Sequence, residues 1–242
     1  SPTTSEERSV GKKCRSRWTA GPCSIAIDNL SAYNIGSRPV PNTFETVVSN
    51  HTAAQAAASW LASQQQSTGL LKSWEEEGSC VAYTYDQALA LIVFSDQGMW
   101  TEADALVDGL VATQNIHGSW FQSRNCATLA LTGSGKWEGD IAWAGYALSR
   151  YLNLGGTHAQ AATALQKGAD WLATRINPED GCLVIDHTEG TIDAWWAFQA
   201  AGASHIGDAE KIKNCLLTYY WDDMMGRFKG GRIWSQPYLD NQ

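Results

Sequence analysis

Apolar positions along the chain fall into two alternating kinds of segment. From Trp100 to Gln114 they sit at Ala103, Leu106, Val107, Leu110 and Val111, the i, i+3, i+4, i+7, i+8 spacing of a one-sided helix. Ala161, Leu165, Ala169 and Leu172 make a similar stripe. Other segments are apolar nearly all round: Ala88 to Phe94, Ile141 to Leu148 and Ala194 to Ala203 contain no charge. A helix that is apolar on every side belongs inside a protein. One-sided helices alternating with buried ones predict an outer and an inner layer of αα-hairpins.

The alternation repeats. Four helical patterns end in similar residues and then reach a glycine: Trp60-Leu61-Ala62-Ser63 before Gly69, Leu110-Val111-Ala112-Thr113 before Gly118, Trp171-Leu172-Ala173-Thr174 before Gly181, and Leu216-Leu217-Thr218-Tyr219 before Gly226. Each glycine opens a short extended piece, read as a loop or turn-like strand. Three inner segments carry an aspartate near their start, in Thr84-Tyr85-Asp86-Gln87, Glu138-Gly139-Asp140-Ile141 and Thr191-Ile192-Asp193-Ala194. These aspartates lie 54 and 53 residues apart, a period of about fifty. The fold class expected is all-α: hairpin repeats over residues 43–242 forming a small or incomplete (α/α) toroid. An irregular segment, 1–42, packs on it, and Pro39 and Pro41 mark the break.

This layout resembles the (α/α) toroid superfamily, which holds carbohydrate-active hydrolases and lyases as well as terpenoid cyclases. The resemblance covers about residues 53–228. It rests on the repeat, on Tyr83-Thr84-Tyr85-Asp86-Gln87-Ala88-Leu89-Ala90-Leu91 and on Glu138-Gly139-Asp140-Ile141-Ala142-Trp143. Gln114-Asn115-Ile116-His117-Gly118-Ser119-Trp120 is similar to the glutamine–tryptophan repeat of the cyclases. A closed six-hairpin ring would need roughly 300 residues at this period, so the ring is expected to be small or open.

If the inner helices run in one direction, Asp86, Asp140 and Asp193 gather at one mouth. Glycoside hydrolysis needs such a pair of carboxyl groups, about 5–5.5 Å apart for retention and about 6.5–9.5 Å for inversion. The three are therefore candidate catalytic residues. The competing reading makes them helix-start residues that offset the dipole, with Thr84-x-x-Gln87 as a capping box. Tyr85, Gln87, Trp74, Trp120, Trp137, Trp143 and Trp196 are candidate substrate contacts, because sugar rings stack their C–H faces on aromatic side chains. Trp60, Trp100 and Trp171 read instead as core packing on outer helices.

Composition adjusts this picture. Twelve Trp and only 17% charged residues suit surfaces made for stacking. The net charge is −8, and residues 51–242 carry 11 basic against 21 acidic side chains. Such a body repels nucleic acid and anionic membrane, and it favours neutral glycans over polyuronates. No apolar run is long enough to span a bilayer. Six cysteines without a Cys-x-x-Cys pair read as disulfides, Cys14–Cys23, Cys80–Cys126 and Cys182–Cys215. With acceptors at Asn29 and Asn50 and a start that reads as a processed end, they predict a secreted glycoprotein. The five histidines show no metal spacing, and no cofactor motif is present. The resulting expectation is a glycosidic-bond-cleaving enzyme. A cyclase or pericyclase acting on an apolar small molecule and a lectin-like module are the alternatives.

Overall fold

The computed structural model describes residues 43–74 and 80–232, with side chains from residue 52 onward. Cys14, Cys23, Asn29 and the segment 1–42 lie outside the described residues, as does the side chain of Asn50. The chain divides into units 1–50 and 51–242, and the hairpins belong to the second.

Seven α-helices are present among the described residues: α1 (Thr43–Ser63), α2 (Thr84–Asp96), α3 (Trp100–Thr113), α4 (Glu138–Asn153), α5 (Ala161–Ala173), α6 (Thr188–Ala201) and α7 (Ile206–Cys215). They form hairpin-like repeats consistent with an incomplete (α/α) toroid. Helices α2, α4 and α6 are the inner elements, and α4 packs against α2, α5 and α6. Their contact faces are built from small residues (Ala88, Ala90, Ala142, Ala144, Ala147, Ala194 and Ala197 are all buried), which lets the backbones approach closely. The three run parallel. Gly139 lies against Gly190 near the start of α4 and α6, and a Cβ built on Gly145 comes within 3.9 Å of Ala197 further along. Tyr85 meets Trp143 near the start of α2 and α4, and Arg150 pairs with Asp96 at 2.7 Å near the end.

The recurring glycines join one hairpin to the next. Gly69, Gly118, Gly181 and Gly226 all have positive φ, between +64° and +92°, which a side chain disfavours. Gly69 and Gly118 also press against the following outer helix. A Cβ on Gly69 would stand 1.8 Å from the Ala105 carbonyl oxygen of α3, and one on Gly118 would stand 2.1 Å from that of Lys167 in α5. A glutamine locks each of these crossings. The Gln65 amide donates to the carbonyls of Gly69 (2.8 Å) and Glu102 (2.9 Å), and the Gln114 amide to those of Gly118 and Ala164 (2.8 Å each). The glutamine of the Gln114–Trp120 motif is therefore a link between repeats.

Short strands accompany the helices. β1 (Val81–Tyr83), β2 (Ser123–Asn125) and β3 (Leu131–Gly133) form an antiparallel sheet beside the start of α2. The Thr84 N–H donates to the Gln122 carbonyl at 2.9 Å, and its hydroxyl to that of Phe121. β4 (Trp221–Asp222) and β5 (Arg227–Phe228) form a second pair that includes the extended piece after Gly226. Cys80–Cys126 ties the ends of β1 and β2 together, and Cys182–Cys215 ties the loop after α5 to the end of α7. These are the pairings expected from the sequence. Closing loops of this length typically contributes about 2–4 kcal/mol.

Two expectations about tryptophans fail. Trp60 is 49% exposed and Trp100 37%, so neither is buried core. Trp100 packs edge-on against the ring of Tyr151.

Gly69→Ala is expected to lower unfolding stability by about 3 kcal/mol or more, since it combines αL strain with a backbone clash. Gly226→Ala, where nothing lies within 4 Å of the new Cβ, should cost only about 1–2 kcal/mol. Urea unfolding of the two variants checks the contrast.

Candidate active site

The starts of the inner helices border a cavity of about 310 Å³. Its wall includes Glu138, Gly139 and Asp140 from the first turn of α4, and Glu189, Gly190 and Asp193 from α6. Tyr85 of α2, Gln122 before β2, Trp137 before α4, and Ile185 and His187 before α6 complete it. A second cavity, about 220 Å³, continues along α4 and α6 between Ala142, Trp143, Tyr146, Ile192, Asp193 and Trp196. Asp193 lines both.

Glycine makes this convergence possible. A Cβ on Gly139 would stand 3.3 Å from the Asp193 Oδ2 atom and 3.8 Å from the Gly190 Cα. The first turn of α4 thus sits directly beside the Asp193 carboxyl group.

Burial controls the charge of the two carboxyl groups. Asp140 is raised from 3.8 to about 6, first by desolvation and then by the negative charge of Asp86. Asp193 is raised to about 7, first by desolvation and next by Glu189. The Trp143 indole N–H opposes the rise, and the negative charge of Asp140 adds to it. Glu138 is buried and neutralised by Arg175 at 3.0 Å, whose guanidinium also lies over the Trp171 ring.

The three aspartates are not equivalent. Asp86 and Asp140 are each the third residue of their helix, whereas α6 begins at Thr188 and Asp193 is its sixth residue. Asp193 therefore lies almost one turn deeper. Asp86 lines neither cavity and reaches the site through its charge on Asp140. Side-chain capping is absent from all three helices. The Thr84–Gln87 capping box does not form, because Thr84 bonds to the loop carbonyl of Phe121.

Other candidates separate clearly. Tyr85 and Trp137 border the first cavity, while Trp143 and Trp196 border the second. Gln87 is buried and pairs with both polar backbone groups of Leu71, accepting from its N–H at 2.8 Å and donating to its carbonyl at 3.1 Å. That use as a loop anchor removes it from the substrate contacts. Trp120 is 1% exposed, with its indole N–H on the Leu110 carbonyl at 2.8 Å, so it is core. Trp74 packs against Tyr83 and lines neither cavity.

Glu138 and Glu189 are wall residues that the sequence reading does not single out. The signal for them was present: Glu138-Gly139-x-Ile141 recurs as Glu189-Gly190-x-Ile192. The spacing of the aspartates hides it, because it sets the start of α6 near Thr191, whereas the helix begins at Thr188. Among the described residues, no group of three or more His, Cys, Asp or Glu is arranged to hold a metal ion. No helix of the described residues is long and apolar enough to cross a membrane.

No known family model matches the chain, and no curated protein does either. Solved structures do resemble it. An unsaturated glucuronyl hydrolase from Bacillus sp. GL1, responsible for glycosaminoglycan degradation, aligns over 76% of this chain and 61% of its own, with TM-score 0.59 and 15% identity. A possible GH105 family member from Salmonella enterica serovar Paratyphi A aligns over 74% and 55%, at 0.57 and 13%. The GH76 alpha-mannanase of Bacteroides thetaiotaomicron aligns over 78% and 56%, at 0.55 and 12%. At these identities the likeness is one of fold: the hairpin repeats resemble part of the folds of these proteins. This chain spans less than two thirds of the length of each of these neighbours.

The raised acids have a cost for stability. An unfolded Asp releases its proton near 3.9, whereas folded Asp193 holds it to about 7. The folded state therefore binds more protons between those values, and stability falls as pH rises through that window. Asp193→Asn is expected to melt above wild type at pH 8, by about 1–3 kcal/mol in stability, and level with it at pH 4. Thermal melts at the two pH values check this.

Proposed function

We propose that this chain carries the active site of a secreted glycosidase acting on a neutral glycan. The observation behind the proposal is that Asp140 and Asp193, from neighbouring inner helices, line one cavity and hold their protons to about 6 and about 7. In this reading Asp193 protonates the glycosidic oxygen as the bond to the anomeric carbon breaks. Ionised Asp140 takes the proton of the attacking water. Asp86 acts on Asp140 through charge, so it is a positioning residue. Tyr85 and Trp137 offer ring faces for a sugar at the mouth.

The names of the structural neighbours support the reaction class, since a glucuronyl hydrolase and a mannanase are among them. The cavity wall argues against an acidic sugar. Glu138, Asp140, Glu189 and Asp193 all border it, and Arg175 is engaged by Glu138. A cyclase would call for a closed apolar pocket with outward aspartates, and Asp140 and Asp193 instead border the cavity. The two disulfides are consistent with an oxidising compartment.

The test is a panel of neutral manno-, malto-, cello- and xylo-oligosaccharides, assayed for new reducing ends. Activity is expected to follow a bell in pH with limbs near about 6 and about 7, macroscopic values that belong to the pair. Asp140→Asn and Asp193→Asn should each lower kcat/KM by about 10²–10⁴-fold. Cleavage of none of the panel, or variants at full rate, would sink the hydrolase reading. Binding without turnover would make the domain a lectin.

A further inference from the structure

The second cavity is a wall with an unusual character. Of its six lining residues, three are aromatic and only Asp193 is charged. Trp196 is 50% exposed although it stands on a helix whose neighbouring positions, Ala194 and Ala197, are buried. An indole left half in water on an inner helix keeps its apolar face available for contact. The rings also hold one another. Trp143 meets Tyr146 at 5.9 Å and 86°, and Tyr146 meets Trp196 at 6.3 Å and 66°, so each edge supports the next face. Trp143 links this row to the chemistry, because it lines the groove together with Asp193.

At about 220 Å³ the groove is smaller than the roughly 300–1,000 Å³ of a complete ligand site. It suits a single ring as part of a longer ligand whose remainder occupies the acidic cavity. Both spaces border Asp193, which places that carboxyl group at their junction.

We infer that the aromatic groove is a binding subsite for one neutral sugar ring, stacked on Trp196 and Tyr146, so that a glycan chain crosses Asp193 with sugar units on both sides. The inference rests on the glycosidase reading and deepens it: the ligand is an oligosaccharide bound across the acid, and cleavage falls at an internal bond.

Binding and turnover test the two claims separately. Quenching of tryptophan fluorescence by the oligosaccharides, two to six units long, reports binding whether or not the bond is cut. Wild type should bind chains of four or more units at least tenfold tighter than disaccharides. Trp196→Ala should remove most of that gain, raising Kd and KM for the longer chains by about 10–100-fold with a much smaller change in kcat. Trp196→Phe should recover most of the loss, and Tyr146→Ala should act in the same direction. Products from a tetrasaccharide should include disaccharide from the start of the reaction.

Binding that depends on Trp196 without any cleavage would support the groove and overturn the glycosidase. Cleavage with Kd and KM unaffected by Trp196→Ala would overturn the groove and leave the glycosidase standing. A loss in kcat alone would also overturn it, since that would mean Trp196 only steadies the helix. Failure of wild type to bind any member of the panel overturns the subsite. Because Trp196 is half exposed, its variants should melt within a few degrees of wild type, which circular dichroism checks.

Discussion

Two backbones meet without a side chain between them at two of the crossings from one hairpin to the next. Gly69 and Gly118 carry positive φ and abut the carbonyls of α3 and α5, with Gln65 and Gln114 bonded to both sides of the crossing. Close approach there sets how far each outer helix stands from its predecessor. That distance sets the spacing of the inner helices, and the inner helices carry the acids. A similar device recurs inside, where Gly139 and Gly190 let α4 and α6 approach at their starts. Spacing by glycine is thus the constraint common to the scaffold and the cavity.

The acids sit in a place that works against their charge. Burial raises both, and among the described residues no cation is paired with Asp140 or Asp193 as Arg175 is with Glu138. A site arranged only for stability would pair or expose these groups. The scaffold tolerates them because its inner helices are otherwise alanine-rich and tightly packed, and because two disulfides fix the loops around it.

Much of the fold was legible in the sequence, because helix burial leaves a direct trace in apolar spacing. The stretch Ala88–Phe94 reads as all-round apolar and lies in inner helix 84–96; the stretch Trp100–Gln114 reads as one-sided and forms outer helix 100–113. The turn glycines were visible for a similar reason, since no other residue accepts that φ readily. The site was only half legible. Asp86, Asp140 and Asp193 look alike at a spacing of 54 and 53, yet the helix starts are 54 and 50 apart. A shift of a few residues in a helix turns a side chain to another face and another depth, and no composition reveals it. Gln87 and Trp120 were misread because their partners, Leu71 and the Leu110 carbonyl, are fixed by tertiary packing.

The same offset gives a repetitive scaffold a site with two unlike ends. Were Asp193 level with Asp140, the mouth would approach rotational symmetry and present similar chemistry from either side. Placed deeper, it separates a carboxylate-rich end from an aromatic one. A linear polymer with chemically distinct termini would meet those ends in a fixed order. Directional reading of a chain is in that sense a by-product of broken symmetry.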